Sequence, residues 1–139
     1  MSAKRRVGET RDTGFQVGAR RTFDVSPERA WHLLTSPAGI SLWLDTRTPP
    51  DLTPGQTFEL EDRIRGETRV FEPGSHLRLT WHPPSWPRPS TFQLRVIARD
   101  GRTQVALHQE HLPGPAERAA RKAHFAHVLD ELGSLFASG

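Results

Sequence analysis

The chain contains no cysteine. Disulfides, thiolate metal sites, cysteine nucleophiles and thiol redox switching are therefore excluded chemically, and a reducing compartment suits it. Tyrosine is also absent and methionine occurs once. No apolar run approaches membrane length, and the basic cluster Lys4-Arg5-Arg6 is followed by no apolar segment of the kind a secretion signal needs. The expected location is the cytoplasm, with no membrane partner. A concentrated basic stripe is missing too: 19 basic and 16 acidic residues leave a net charge of +3, with the two signs interleaved. The sequence pI of about 10.5 overstates the positive character. Nearly all the bases are arginine, and no cysteine or tyrosine titrates at alkaline pH to hold the value down. Without a basic stripe carrying stacking aromatics, a nucleic-acid partner is not expected.

What is present suits one domain with a real core: 139 residues, 35% hydrophobic and 25% charged. Residues 1–14 are polar and aperiodic and read as a disordered leader, which leaves 15–139 as a single domain. Phe15, Val17, Ala19, Arg21 and Phe23 alternate with polar or small residues, the period of a half-buried strand. Ser26-Pro27-Glu28 then supplies an N-cap hydroxyl, a proline for the first helical position and an acid for the first turn, predicting a helix through Thr35. Ser36-Pro37 restarts the chain, and Ile40, Trp43 and Leu44 fall at the spacing of a second short helix. Five strands follow at 56–63, 67–72, 76–81, 91–99 and 102–111. They are separated by Gly66, Pro73-Gly74, the proline-rich run 83–89 and the hairpin pair Asp100-Gly101. Such short links build antiparallel meanders. From Ala116 to about Ser138, Phe125, Val128, Leu129, Leu132, Leu135 and Phe136 form one apolar stripe at helical spacing. The order β-α-α-β-β-β-β-β-α gives an α+β fold: a six-stranded curved antiparallel sheet with one face covered by two short helices and a long C-terminal helix packed across it.

Ser26-Pro27-Glu28-Arg29-Ala30-Trp31, Pro37 with Trp43, Gly55 with Phe58, Gly66, Glu72-Pro73 and the run Leu77 to Trp81 occur in an order and spacing that resemble the helix-grip superfamily. Ser90, Thr103 with Val105 and Leu107, Leu112-Pro113 and Leu129 to Leu132 continue the likeness over about residues 15–136. That superfamily, SRPBCC, includes START lipid-transfer domains, the birch-pollen-allergen type and polyketide cyclases. The branch resembled is the bacterial one named after the activator of the heat-shock chaperone ATPase. In two places the chain departs from the pattern: Gln109 stands where the family often has histidine, and Phe125 near where it often has tryptophan. The resemblance implies a helix-grip fold with a ligand cavity, or a chaperone as protein partner in a stress response. Relatives that are cyclases or hydratases, and a few that confer resistance to enediyne antibiotics by sacrificing themselves, supply two further alternatives.

A long helix on a curved sheet meets it along a strip, so a space can open between them. The expected lining is Trp43, Phe58, Leu60, Trp81, Phe92, Leu94, Val105, Phe125, Leu129 and Leu132, apolar and aromatic as in small-molecule pockets, or else simply a solid core. Alternation points Arg21 and Asp62 inward as candidate polar anchors for a ligand, since an arginine can hold a carboxylate through two parallel hydrogen bonds. The expected function is non-catalytic binding of a small apolar or aromatic molecule, with no cofactor. His108 to His111 and the pair His124/His127 match no metal spacing, and no serine sits in a nucleophile elbow. Were the chain an enzyme, His108 or Asp62 would be its acid or base. The stiff segment 82–90, carrying Trp86, reads as a cavity lip, a contact surface or a plain crossover between strands.

Overall fold

Two serine-proline pairs set the helical layer. In the computed structural model, which describes residues 9–10 and 14–138, Ser26 accepts a hydrogen bond from the Arg29 amide at 3.2 Å and starts α1 (Pro27–Leu34). Ser36 does the same for the Gly39 amide at 3.2 Å and starts α2 (Pro37–Leu44). The Ser36 hydroxyl also donates to the Leu33 carbonyl at 2.6 Å, so the cap of the second helix satisfies an orphan acceptor at the end of the first. Each proline sits in the first helical turn, where its missing N–H costs nothing.

The strands are β1 (Glu9–Thr10), β2 (Gly14–Phe23), β3 (Thr57–Glu59), β4 (Arg65–Glu72), β5 (His76–Trp81), β6 (Ser90–Arg99) and β7 (Arg102–Leu112), and the chain ends in α3 (Pro115–Ser138). They form one antiparallel sheet in the order β1-β2-β7-β6-β5-β4-β3. Strands β3 to β7 run as a meander, and β2 closes the far side by pairing with β7 from Phe15↔Leu112 to Phe23↔Thr103. Leu77, Leu79, Phe92, Leu94, Val96, Val105 and Leu107 are all buried on one face. Their neighbours Arg78, Gln93, Arg95, Gln104 and His108 lie on the wetter opposite face. The buried face is the one α3 covers, lying chiefly along β2 with α2 beside it. Phe125, Val128, Leu129, Leu132 and Phe136 point inward from α3. Full burial of such side chains contributes about 1.5–3 kcal/mol each, which is why the stripe and not helix propensity fixes the docking. Arg118 adds a polar tie, its Nε donating to the Gln16 carbonyl at 2.7 Å.

The six expected strands, two short helices and long helix are all present in the expected order. Three local expectations are corrected. The strand expected at 56–63 stops at Glu59, because Glu61 is pulled aside: its carboxylate accepts from the Thr46 hydroxyl and the Arg47 amide, both at 2.8 Å. The chain then turns through a short 3-10 segment with Asp62 and Arg63 at φ of 59°. Gly66, read as a turn, lies inside β4 opposite Phe58; a Cβ there would stand 2.3 Å from the Thr80 carbonyl and 2.4 Å from the Phe58 ring. The glycine is required by close approach, not by a turn. Glu9 and Thr10, assigned to the leader, pair with Phe15 and Gly14; the rest of the leader up to residue 13 lies outside the described residues.

Candidate functional site

All ten expected lining residues are buried in the core shared by sheet and helices, but the aromatics at its centre meet each other. Trp43 lies flat on Phe92, with ring centroids 5.4 Å apart and 11° between planes, and Phe92 meets Phe125 edge-on at 6.0 Å. The Trp43 indole N–H donates to the Leu34 carbonyl at 2.8 Å, which locks the ring in place. Leu94, Val105, Leu129 and Leu132 close around this stack with at most 3% of their surface exposed. The middle of the space between helix and sheet is thus occupied by the protein's own aromatics. In the grooves that open on the described residues, Phe58 lines one at the β3–β4 edge and Trp81 lines another, at the N-terminal end of α3.

The second groove, of about 480 Å³, has the residue mix of a binding site. Its apolar walls are Ile64, Trp81, Pro83, Trp86 and Ala120. Trp86 comes from the proline-rich segment, which turns back through a Trp86 amide to Pro83 carbonyl bond at 3.1 Å and a His82 Nε2 contact to the Trp86 carbonyl at 2.9 Å. The fold-back sets Trp86 edge-on against Trp81, centroids 5.3 Å apart, so the segment forms the lip of the groove.

At the floor lies Arg121, which the sequence reading passed over. It is 9% exposed, and its guanidinium carbon stands 4.2 Å over the Trp81 ring and 5.5 Å from the Phe125 ring centre. Its Nε donates to Gln109 Oε1 at 2.7 Å; the Gln109 amide donates to Ser90 Oγ at 2.8 Å; and the Ser90 hydroxyl donates to the Trp81 carbonyl at 2.6 Å. This one-directional relay joins α3, β7, β6 and β5, and each bond polarises the next. Burial pushes the Arg121 guanidinium down to about 10, partly offset by the charge of Asp45. Beside it, His124 Nε2 donates to the Trp43 carbonyl at 3.0 Å. Burial and the neighbouring Arg121 charge hold this imidazole below its ordinary 6.5, so it is neutral at neutral pH.

The sequence candidates for polar anchors lie elsewhere. Arg21 stands on the helix-facing side as alternation expects, yet its head emerges at the rim and pairs with Asp130 of α3 at 2.8 Å, both side chains exposed. Asp62 is exposed in its turn and lines a polar groove with Ser41, Thr46 and Arg47. Neither joins the Trp81 groove. Glu61 of the same turn is committed to the loop after α2, and Arg78 to Gln93 on the wet face. His108, the other candidate acid or base, contacts Gln16 at 3.1 Å on that wet face. Among the described residues no three His, Asp or Glu side chains converge as a metal site, and no helix is long and apolar enough to cross a membrane.

Compared with known proteins, residues 24–137 match the family described as activator of Hsp90 ATPase homolog 1-like protein. The activator of 90 kDa heat shock protein ATPase homolog 1 of Mus musculus and that of Homo sapiens are each 22% identical over 127 residues, covering 89% of this chain. The chain spans only 38% of the length of these curated relatives. Among solved structures, CalU16 from Micromonospora echinospora superposes with a TM-score of 0.75 at 23% identity, covering 87% of this chain and 75% of that one. DynU16, a protein of the dynemicin biosynthetic locus, gives 0.73 at 14% identity with coverages of 86% and 46%. An HSP90 activator from Plasmodium falciparum gives 0.70 at 17% identity with coverages of 88% and 96%.

Proposed function

Since the chain belongs to the activator of Hsp90 ATPase homolog 1-like family, whose helix-grip fold it shares, we propose that it binds a small apolar or aromatic molecule without transforming it, in the groove between Trp81, Trp86 and the first turns of α3. The observation that carries this reading is the paired indoles, one on the sheet and one on a folded-back lip, over a groove of about 480 Å³. That volume falls within the usual range for small-molecule sites. The lining residues include no serine, threonine or cysteine, and the one histidine is tied to a backbone carbonyl. No hydroxyl or thiol nucleophile is therefore poised beside that histidine, which favours holding over chemistry. The test is titration with a panel of small aromatic compounds, read by tryptophan fluorescence in the wild type and in Trp86→Ala. Saturable quenching that Trp86→Ala weakens about tenfold supports the reading; silence across the panel removes it.

A second reading is a protein-interaction module acting on a chaperone ATPase. It is favoured by the Plasmodium falciparum activator, whose length this fold covers almost completely. A pull-down of the purified chain with the Hsp90-type chaperone, followed by ATPase assay, separates the two: stimulation that Trp86→Ala leaves unchanged assigns the activity to another surface.

A further inference from the structure

We propose that the preferred occupant of the Trp81 groove is a planar apolar monocarboxylate, its carboxylate gripped by the two terminal nitrogens of Arg121 and its body lying against the walls formed by Trp86, Trp81, Ile64 and Pro83. The proposal rests on the groove being the binding site.

A guanidinium carries five N–H donors. In Arg121 only the Nε donor is engaged, by Gln109, and the terminal nitrogens donate to no group among the described residues. None of the ion pairs among those residues includes Arg121. Neither terminal nitrogen is among the fully occluded atoms without a partner, and Arg121 lines the groove. Stacking on Trp81 fixes the plane of the fork but supplies no acceptor for its free edge. A carboxylate matches that edge bidentately; Asp45 acts on Arg121 through its charge but forms no ion pair with it, so a direct partner is what the buried cation lacks. Arg21, by contrast, already has Asp130.

The other charged or titratable groups that face the groove set the charge of the ligand. Asp45 and Glu117 line it, while His124 is neutral and committed to Trp43. Both carboxylates are better solvated than Arg121, so water weakens, without removing, their repulsion of a single anion seated on the buried fork. A second negative charge at the mouth would meet them directly. Asp45 and Glu117 thus select a monoanion over a dianion.

Calorimetric titration of the full chain with naphthoate, naphthamide and naphthalene dicarboxylate tests this. Naphthoate is expected to bind about tenfold or more tightly than naphthamide, the difference between a charge-assisted fork and a neutral contact, and more tightly than the dicarboxylate. Arg121→Met should erase the preference for acid over amide, and Arg121→Lys, which keeps charge but loses the fork, should recover only part of it. Equal affinities for acid and amide in the wild type overturn the proposal while leaving the binding role intact, and a dicarboxylate that binds best overturns it too. If neither compound binds, both readings fall together. A preference that survives in folded Arg121→Met also refutes the assignment. Should that variant not fold, the acid–amide comparison in the wild type decides alone.

Discussion

Replacing Gly39 by alanine sets two rules against each other. Helix propensity alone predicts that Gly39→Ala, inside α2, stabilises the chain by about 1 kcal/mol. Packing predicts the opposite. A Cβ on Gly39 would stand 2.1 Å from the Leu33 carbonyl oxygen and 2.7 Å from that of Leu34, both backbone atoms at the end of α1. No rotamer change relieves a contact with backbone, so α2 must back away by more than about 1 Å to reach ordinary van der Waals distance. The movement drags Trp43. Its 2.8 Å bond to the Leu34 carbonyl breaks, leaving a buried indole N–H unpaired at about 1–3 kcal/mol, and its stack on Phe92 loosens at about 1 kcal/mol. With the overpacking itself worth about 1–3 kcal/mol, the net loss is about 4 kcal/mol even after the propensity gain, or a fall of roughly 14 °C in Tm. Urea unfolding followed by tryptophan fluorescence, with Gly55→Ala as control, measures it. Gly55 has φ of 88° and nothing within 4 Å of a built Cβ, so its variant should lose only the 1–2 kcal/mol or so of a left-handed residue. A Gly39→Ala protein as stable as the wild type would refute the packing account of the helix pair.

Thr68→Val should stabilise by about 1 kcal/mol in the same assay, because the Thr68 hydroxyl is buried with no hydrogen-bond partner among the described residues and valine has the same shape. Phe125→Ala should cost about 3–5 kcal/mol, whereas Arg21→Ala, breaking an exposed ion pair, should cost about 1 kcal/mol at most; comparable losses would mean the rim pair is undervalued. His124 confers acid sensitivity: its folded pKa lies below 6.5, so the unfolded chain takes up the proton first, and stability that is full above about pH 6.5 declines as pH falls toward the folded value. Urea midpoints between about pH 7 and pH 5 should fall less in His124→Gln than in the wild type, and parallel curves would exclude His124 as the source.

The strands and helices were legible in the sequence because their signals are local. Ser26-Pro27 and Ser36-Pro37 cap the helices they announce, and the alternation through β5 and β6 survives residue for residue as the buried face. The break after Glu59 was not legible, since what bends the chain is the Glu61 carboxylate reaching Thr46 and Arg47, a contact across a loop. Gly66 was misread for a related reason: a turn glycine and a glycine crossed by another strand's carbonyl look alike until the sheet is assembled. The site divided the same way. Side chains of the right type for a cavity were recognised, but which of them touch each other depends on their placement in three dimensions. Arg121 was missed because it sits among Arg118, Lys122 and Glu117 on a helix that reads as charged and solvated. One signal pointed to it: Arg121 precedes the stripe residue Phe125 by four positions and so continues the buried face toward the helix start.

That continuation bears on why the groove lies at this end. Down the buried face the contents change from leucine and phenylalanine to Ser90, Gln109 and Arg121, although Ser90 pairs with Trp81, and Gln109 with Phe92, at positions that an apolar core could have filled. Seen only as structure the exchange is unfavourable: burial pushes the Arg121 pKa down to about 10, a penalty on the order of 3 kcal/mol, and apolar side chains of similar volume would avoid it. The relay through Gln109 and Ser90 offsets part of that penalty by bonding Nε, and Trp81 offsets more by lying under the charge. Both leave the terminal nitrogens of the fork without a partner among the described residues. A relay whose purpose was only to brace four elements would work as well with a neutral donor in place of the guanidinium, so the charge, the held plane and the open edge together argue that Arg121 is kept for what enters the groove.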